Sequence, residues 1–245
     1  MTALLPPPPW SLPRSRQPEW MDDPGIAEAD HLQALGALAR INALSRTAPG
    51  IAREVRDFFP RGGPAEPPVV ADLACGGGDV TRALARRLAR AGIPARVVGF
   101  DSSARAVERA RAAGSRGEGD VAFEIRDLLA EGCPPCDVAV SSLFLHHLDD
   151  ADARRLLAGM AAACRVGFVV SDLIRSRVGL FLAVAGTRLF SSSRVVRIDG
   201  PLSVRAARTP EEYRLLAASA GLTGACVRRT WPERVVLTWR RPPGA

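Results

Sequence analysis

The sequence predicts a doubly wound α/β fold: a seven-stranded, mostly parallel sheet that closes on a C-terminal antiparallel hairpin and is preceded by an N-terminal helical cap. Three observations carry this expectation. Short β-branched runs alternate with helical stretches from residue 69 to residue 171, the order that builds parallel sheets. The first run, Val69-Val70-Ala71-Asp72-Leu73, feeds Ala74-Cys75-Gly76-Gly77-Gly78, a turn at which side chains would block the close approach of a ligand. The chain ends on two strand-like runs, 225–230 and 234–239, joined only by Trp231-Pro232-Glu233.

Taken in order, residues 1–20 are dominated by proline without a hydrophobic period and read as a flexible arm. Residues 21–65 read as the helical cap. In it, 27–44 places Leu32, Leu35, Leu38, Ile41 and Leu44 on a three-residue step, and 51–59 makes a second short helix before the linker 60–68. Arg40 and Asn42 lie near the apolar face, within reach of a ligand or simply at the surface. Residues 66–245 then form one α/β domain. Its expected elements are helix 80–90, strand 96–101, helix 103–113 capped by Ser102 or Ser103, strand 121–125, strand 137–142, helix 150–164 and strand 166–171. Residues 173–209 break the rhythm: 174–190 reads as an apolar helix and 195–208 as an irregular loop. Thr209-Pro210-Glu211-Glu212 starts a well-signalled helix, with Thr209 as N-cap and Glu212 at the capping-box position.

Composition narrows the class. A chain of 245 residues with 47% hydrophobic content suits a single domain with a sizeable core. No run of 18 apolar residues is present, and residues 1–9 lack the pattern of a signal peptide, so a cytoplasmic protein is expected. The formal charge of +7 invites a nucleic-acid reading. All 33 basic residues are arginine, however, they are scattered, and 5% aromatic content leaves few stacking platforms. Arg175, Arg177, Arg188, Arg194 and Arg197 flank the apolar stretch 178–184, which admits a membrane-surface or acidic-substrate reading, although a solvated helix rim explains it more simply. Five cysteines without an export signal are expected to be reduced. No metal site is expected: Cys133-Pro134-Pro135-Cys136 lacks two further ligands, and the adjacent His146 and His147 should point to different sides. Nothing in the sequence specifies an oligomeric state.

Asp101 ends the second strand beside the glycine turn, where an acid can take two hydrogen bonds from ribose hydroxyls. The spacing of Gly76 and Gly78 also fits a nicotinamide dinucleotide in part, but the third position is Thr81 where glycine or alanine is wanted.

The ordered set of Asp72 with the triple glycine, Asp101, Arg126-Asp127-Leu128 and the strand ending Ser141-Ser142 resembles the class I S-adenosylmethionine-dependent methyltransferases over roughly residues 66–172. The continuation Phe144-Leu145-His146-His147-Leu148-Asp149 resembles their small-molecule branch of quinone- and polyketide-type enzymes. The resemblance implies S-adenosyl-L-methionine as cofactor. It also implies that Asp72, Ala74, Cys75, Gly76 and Gly78 hold the methionine end, and that Asp101, with Ser102 beside it, holds the ribose. Asp127 would accept from the adenine amino group, Leu128 would donate its backbone N–H, and Ser142 with Leu143 would line the cleft under the sulfonium. The family often carries glycine where Ala74 stands, a departure expected to cost little. By the same resemblance the N-terminal helices cover the cleft and the insertion 173–209 builds the acceptor pocket. His146 or His147 is the candidate general base, with at most one facing the acceptor, or else the pair packs the following helix. The expected function is methyl transfer to oxygen or carbon of a small, lipophilic acceptor of secondary metabolism. A catalytically silent methyltransferase-fold binding protein and an NAD(P)-dependent oxidoreductase are the alternatives.

Overall fold

The computed structural model describes residues 12–23, 25–60, 64–114 and 119–243. Seven strands form one sheet in the order β3-β2-β1-β4-β5-β7-β6, with β1 Val69–Leu73, β2 Arg96–Asp101, β3 Val121–Ile125, β4 Cys136–Ser142, β5 Cys164–Leu173, β6 Cys226–Thr230 and β7 Arg234–Arg240. The first five pair in parallel, and β7 runs antiparallel to both β5 and β6. This is the predicted fold class. Because the chain winds outward from β1 through β2 to β3 and then returns to β4 on the other side, the switch point lies between the C-terminal ends of β1 and β4.

Strand alternation divides the core into two layers. Val70, Val138, Val140, Val169 and Val236 meet α2 (Thr47–Arg56) and α3 (Asp79–Arg90) on one face. Ala71, Leu73, Phe100, Ala139, Phe168 and Val170 pack on the other face with α5 (Asp150–Ala163) and α8 (Pro210–Ser219). Both faces are covered, which is why the central strands read as nearly continuous apolar runs. α4 (Ala104–Ala112) closes over Phe123 and Cys75, and Ser103 is its N-cap, accepting from the Ala106 N–H. Thr209 and Glu212 form the expected capping box at the start of α8.

Four expectations need correction. The second helix begins at Thr47, and its Ile51 and Val55 are buried in the sheet core, so α2 is part of the domain layer and, of these two helices, α1 (Glu28–Leu44) is the one over the cleft. Cys164 opens β5, in place of closing the preceding helix. The segment read as a loop is helix α7 (Arg194–Ala206), capped by Ser193 and packed on α6 (Arg177–Phe190); Gly200-Pro201 looks like a helix breaker, but Pro201 sits inside the helix, where the surrounding packing offsets the missing N–H. Finally, the part of the arm within the described residues is tied down. Arg14 donates to Ala206 O, Leu148 O and Asp150, the Arg175 guanidinium donates to Leu12 O, and Asp199 accepts from the backbone N–H groups of Trp20 and Met21. Residues 1–11 lie outside the described set.

α6 exposes Val178, Phe181, Leu182 and Leu189 in a single stripe, of which Leu182 and Leu189 border the cavity described below. No helix among the described residues is long and apolar enough to cross a membrane.

Candidate active site

A cavity of about 1140 Å³ opens at the switch point, roofed by α1, the short turn Trp20–Asp22 and α6. Its two ends are built differently.

At one end, β1 runs into a loop whose backbone is left-handed at Ala74 (φ 59°), Gly76 (φ 53°) and Gly78 (φ 72°). Ala74, Cys75, Gly76, Gly77, Asp79, Asp101, Ser102, Asp127, Leu128 and Ser142 all border the cavity. Asp101 accepts from the N–H of Gly76 at 2.8 Å and of Ser103 at 2.9 Å, which fixes the carboxylate against the loop. Burial pushes its carboxyl up from the ordinary carboxylate range, and these two hydrogen bonds oppose the shift. Asp127 caps the next turn, its Oδ1 accepting from Leu129 and Ala130 N–H, and it still faces the cavity.

Asp72 and Gly78 are placed differently from the expectation. Asp72 is fully buried behind the loop and does not border the cavity; its Oδ2 accepts from the Thr81 hydroxyl at 2.6 Å, and its Oδ1 has no partner among the described residues. Burial pushes this carboxyl up to about 7. Gly78 also lies behind the wall, so close to the Phe123 ring that a Cβ would come within 2.4 Å of it. Thr81, which counts against the dinucleotide fingerprint, is thus the partner of the buried acid.

Two polar residues border the cavity beside the loop where Asp72 does not. Asp79, at the start of α3, accepts from the Asn42 side-chain N–H at 3.1 Å, and burial pushes its carboxyl up. The Asn42 Oδ1 is buried, lies at the cavity and has no partner among the described residues. Ordinary N-terminal and interhelical positions gave no sequence signal for this pair beyond the polarity of Asn42 on the apolar face.

At the other end stand His146 and His147, in a short 3-10 turn after β4. Both border the cavity, with ring centroids 4.3 Å apart and the ring planes tilted by 35°, because in so tight a turn adjacent side chains do not diverge as they do along a strand. The expectation that at most one faces the acceptor side is therefore corrected. His146 is buried; its Nδ1 lies 2.7 Å from Asp172 Oδ1 and its backbone N–H donates to Asp172 Oδ2. Asp172, fully buried near the end of β5, was missed. Although burial raises its carboxyl, the charge and hydrogen bond of His146 hold it below the ordinary range. His147 Nδ1 lies 3.1 Å from Asp22. Burial opposes charge on this ring, yet the hydrogen bond to Asp22 and the charge of Glu19 raise it to about 9. Glu19 lies near the Nε2 atoms of both rings, its Oε1 3.8 Å from His146 Nε2 and its Oε2 4.0 Å from His147 Nε2.

Of the remaining candidates, Tyr213 is core: it is fully buried and donates to Leu173 O. Asp149 caps α5, accepting from the Asp152 N–H. Cys133 and Cys136 are free thiols at the entry to β4.

Comparison with known proteins agrees with this architecture. Residues 70–167 match the methyltransferase domain family. The chain is 34% identical to acetylserotonin O-methyltransferase of Gallus gallus over 114 residues, 45% of this chain and 30% of that protein. It is 42% identical to trans-aconitate 2-methyltransferase of Streptomyces coelicolor over 85 residues, 34% of this chain and 27% of that protein. It thus spans less than a third of the length of these curated relatives. The fold is similar to that of the plantazolicin methyltransferase solved with SAH, with a TM-score of 0.66 at 13% identity, covering 91% of this chain and 93% of that one. The matched segment contains the glycine loop, Asp101, Asp127 and the two histidines, and over it the chain is similar to the methyltransferase domain family.

Proposed function

We propose that this chain transfers a methyl group from S-adenosylmethionine to oxygen or carbon of a small, largely apolar acceptor. The observation that carries the reading is the opposition, across one cavity, of a glycine loop with a ribose-competent carboxylate and a histidine held by a buried acid.

The residues at the loop end fit the cofactor. The left-handed backbone at Gly76 brings main chain, without side chains, to the cavity wall. Asp101 is pre-set for the ribose, Asp127 and Leu128 for the adenine. Asp79 and the unpartnered Asn42 Oδ1 offer acceptors for the ammonium of the methionine end, the part assigned from sequence to Asp72. When bound, the cofactor supplies an activated methyl group on a sulfonium, so the protein contributes alignment and exclusion of water. Leu35, Leu128, Leu143 and Leu182 make the walls apolar, which suits a lipophilic acceptor.

At the far end, the Nδ1–H of His146 donates to Asp172, which leaves Nε2 toward the cavity side as a proton acceptor. An acceptor hydroxyl placed there would lose its proton to His146 as its oxygen takes the methyl group. His147 and Glu19 adjoin that position. The relatives act on small molecules by their names, an O-methyltransferase of acetylserotonin and a methyltransferase of trans-aconitate, and neither name selects the acceptor of this chain.

Thermal-shift measurements with S-adenosylhomocysteine and with NAD(P) test the reading. Stabilisation by S-adenosylhomocysteine alone is expected; stabilisation by NAD(P) alone would sink it. Cofactor binding with no turnover across phenolic, enolic and carboxylate acceptors would favour the silent binding protein.

A further inference from the structure

The histidine end carries an arrangement that proton transfer to one base does not require. Each imidazole has its Nδ1 occupied by a carboxylate, Asp172 for His146 and Asp22 for His147. Both Nε2 atoms then face the same carboxylate, Glu19, and the ligand atoms of all three residues lie within 4.8 Å of one another. Glu19 is aimed in turn: its Oε1 accepts from the Ser203 hydroxyl at 2.6 Å, and Asp199 on α7 holds the following turn by the N–H groups of Trp20 and Met21. A carboxylate on the remote nitrogen of a histidine is the outer support that metal-binding imidazoles ordinarily carry, because it fixes the tautomer with Nε2 as the lone pair and makes that nitrogen a better donor.

We propose that Glu19, His146 and His147 bind one divalent first-row transition metal ion at the acceptor end of the cavity. Two imidazole nitrogens with one carboxylate suit zinc, cobalt, manganese or iron, and exclude the all-oxygen preference of calcium and magnesium. Ligand bonds of about 2.0–2.2 Å place neighbouring ligand atoms roughly 3–3.5 Å apart, so closing the site requires atoms now up to 4.8 Å apart to approach by as much as about 1–2 Å. The strap of residues 19–22 is attached to α7 through side-chain and main-chain hydrogen bonds. Three protein ligands leave positions open toward the cavity; with an ion held there, the His146 Nε2 lone pair would be taken up by it, and the ion rather than His146 would make a ligated acceptor hydroxyl easier to deprotonate. The acceptor class this assigns is one with an oxygen able to ligate the ion, a phenol, enol or carboxylate. That choice of acceptor rests on the methyl-transfer reading; metal binding itself does not. It also replaces the expectation, drawn from the adjacency of the two histidines, that they could not serve one ion.

The test is titration of the full chain, first stripped with a chelator, with Co²⁺, followed by visible absorption and calorimetry. One equivalent of tight binding with d–d absorption is expected, weakened at least about tenfold in Glu19→Gln and in His147→Gln. Both residues are only partly buried, and the thermal shift with S-adenosylhomocysteine in each variant shows that the fold and the cofactor end persist. The proposal is overturned if the wild-type chain takes up no stoichiometric Co²⁺, or if uptake is unchanged in both variants. It is equally overturned if uptake comes with a near-ultraviolet thiolate band that vanishes in Cys133→Ser. Co²⁺ binding without any response to S-adenosylhomocysteine would leave the metal site standing and remove the methyl-transfer reading; the converse would do the reverse.

Discussion

The two ends of the cavity are assembled by opposite strategies. Apart from Asn42 on α1 and Asp127 with Leu128 after β3, the loop end is local: the wall from Ala74 to Asp79 and the acid at Asp101 come from two consecutive strands and the turns that follow them, within 28 residues of chain. The histidine end gathers Glu19 and Asp22 from the N-terminal strap, His146 and His147 from the turn after β4, Asp172 from β5 and Ser203 from α7. Geometry at the first end is imposed by backbone conformation, so single atoms matter there. At the second it is imposed by side-chain hydrogen bonds between distant elements, so charge and protonation matter.

The sharpest way to break the first end is Gly78→Ala. The added methyl needs a left-handed conformation and meets the Phe123 ring at 2.4 Å. A loss of about 3–5 kcal/mol in chemical denaturation is expected from strain and overpacking together; a neutral result would mean the loop is not held by close packing.

Asp72 gives the next effect. With its carboxyl pushed up to about 7 in the fold from an ordinary value of 3.8, the protonated form is the one the fold favours. Its contribution is complete below about pH 3.8 and is lost as pH rises through about 7. Asp72→Asn, which keeps an acceptor for Thr81, removes that loss. The variant should exceed the wild type by about 2–4 kcal/mol at pH 8, with the gap closing toward pH 4. A gap independent of pH would show that Asp72 is ionised in the fold at no cost.

Ala74 carries a smaller penalty. At φ 59° an alanine costs about 1 kcal/mol relative to glycine, more than the added methyl suggested from sequence, and Ala74→Gly should recover it as a rise in denaturation midpoint. The smallest effect tests the independence of the two ends. His146→Gln should leave the affinity for S-adenosylhomocysteine within about twofold, since residues far apart without shared partners act additively. A larger change would show that the ends are coupled.

The same contrast explains what could be read in the sequence. The sheet, the glycine turn, Asp101 and the cap of α8 rest on residue spacing, and spacing is visible without a structure. Asp172 rests on a pairing 26 residues away, though one signal was present: an acid near the C-terminal end of a strand, the same logic that singled out Asp101. Glu19 and Asp22 lie in a proline-rich stretch whose lack of period hides the fact that Arg14 and Asp199 anchor it. Asp72 was misplaced because an acid before a glycine turn reads as a ligand, whereas here Thr81, nine residues on, claims it from beneath. α7 was missed because Gly200-Pro201 is punctuation in a local reading, and only packing against α6 overrules it.

Isothermal titration of the full chain with S-adenosylhomocysteine, alongside Asp101→Ala, tests the central claim most directly. The account predicts one site per chain in the wild type and a loss of about a hundredfold in affinity when the carboxylate, worth about 1.5–3 kcal/mol for each charged hydrogen bond, is removed. No heat with the wild-type protein, or equal affinity in the variant, would contradict it.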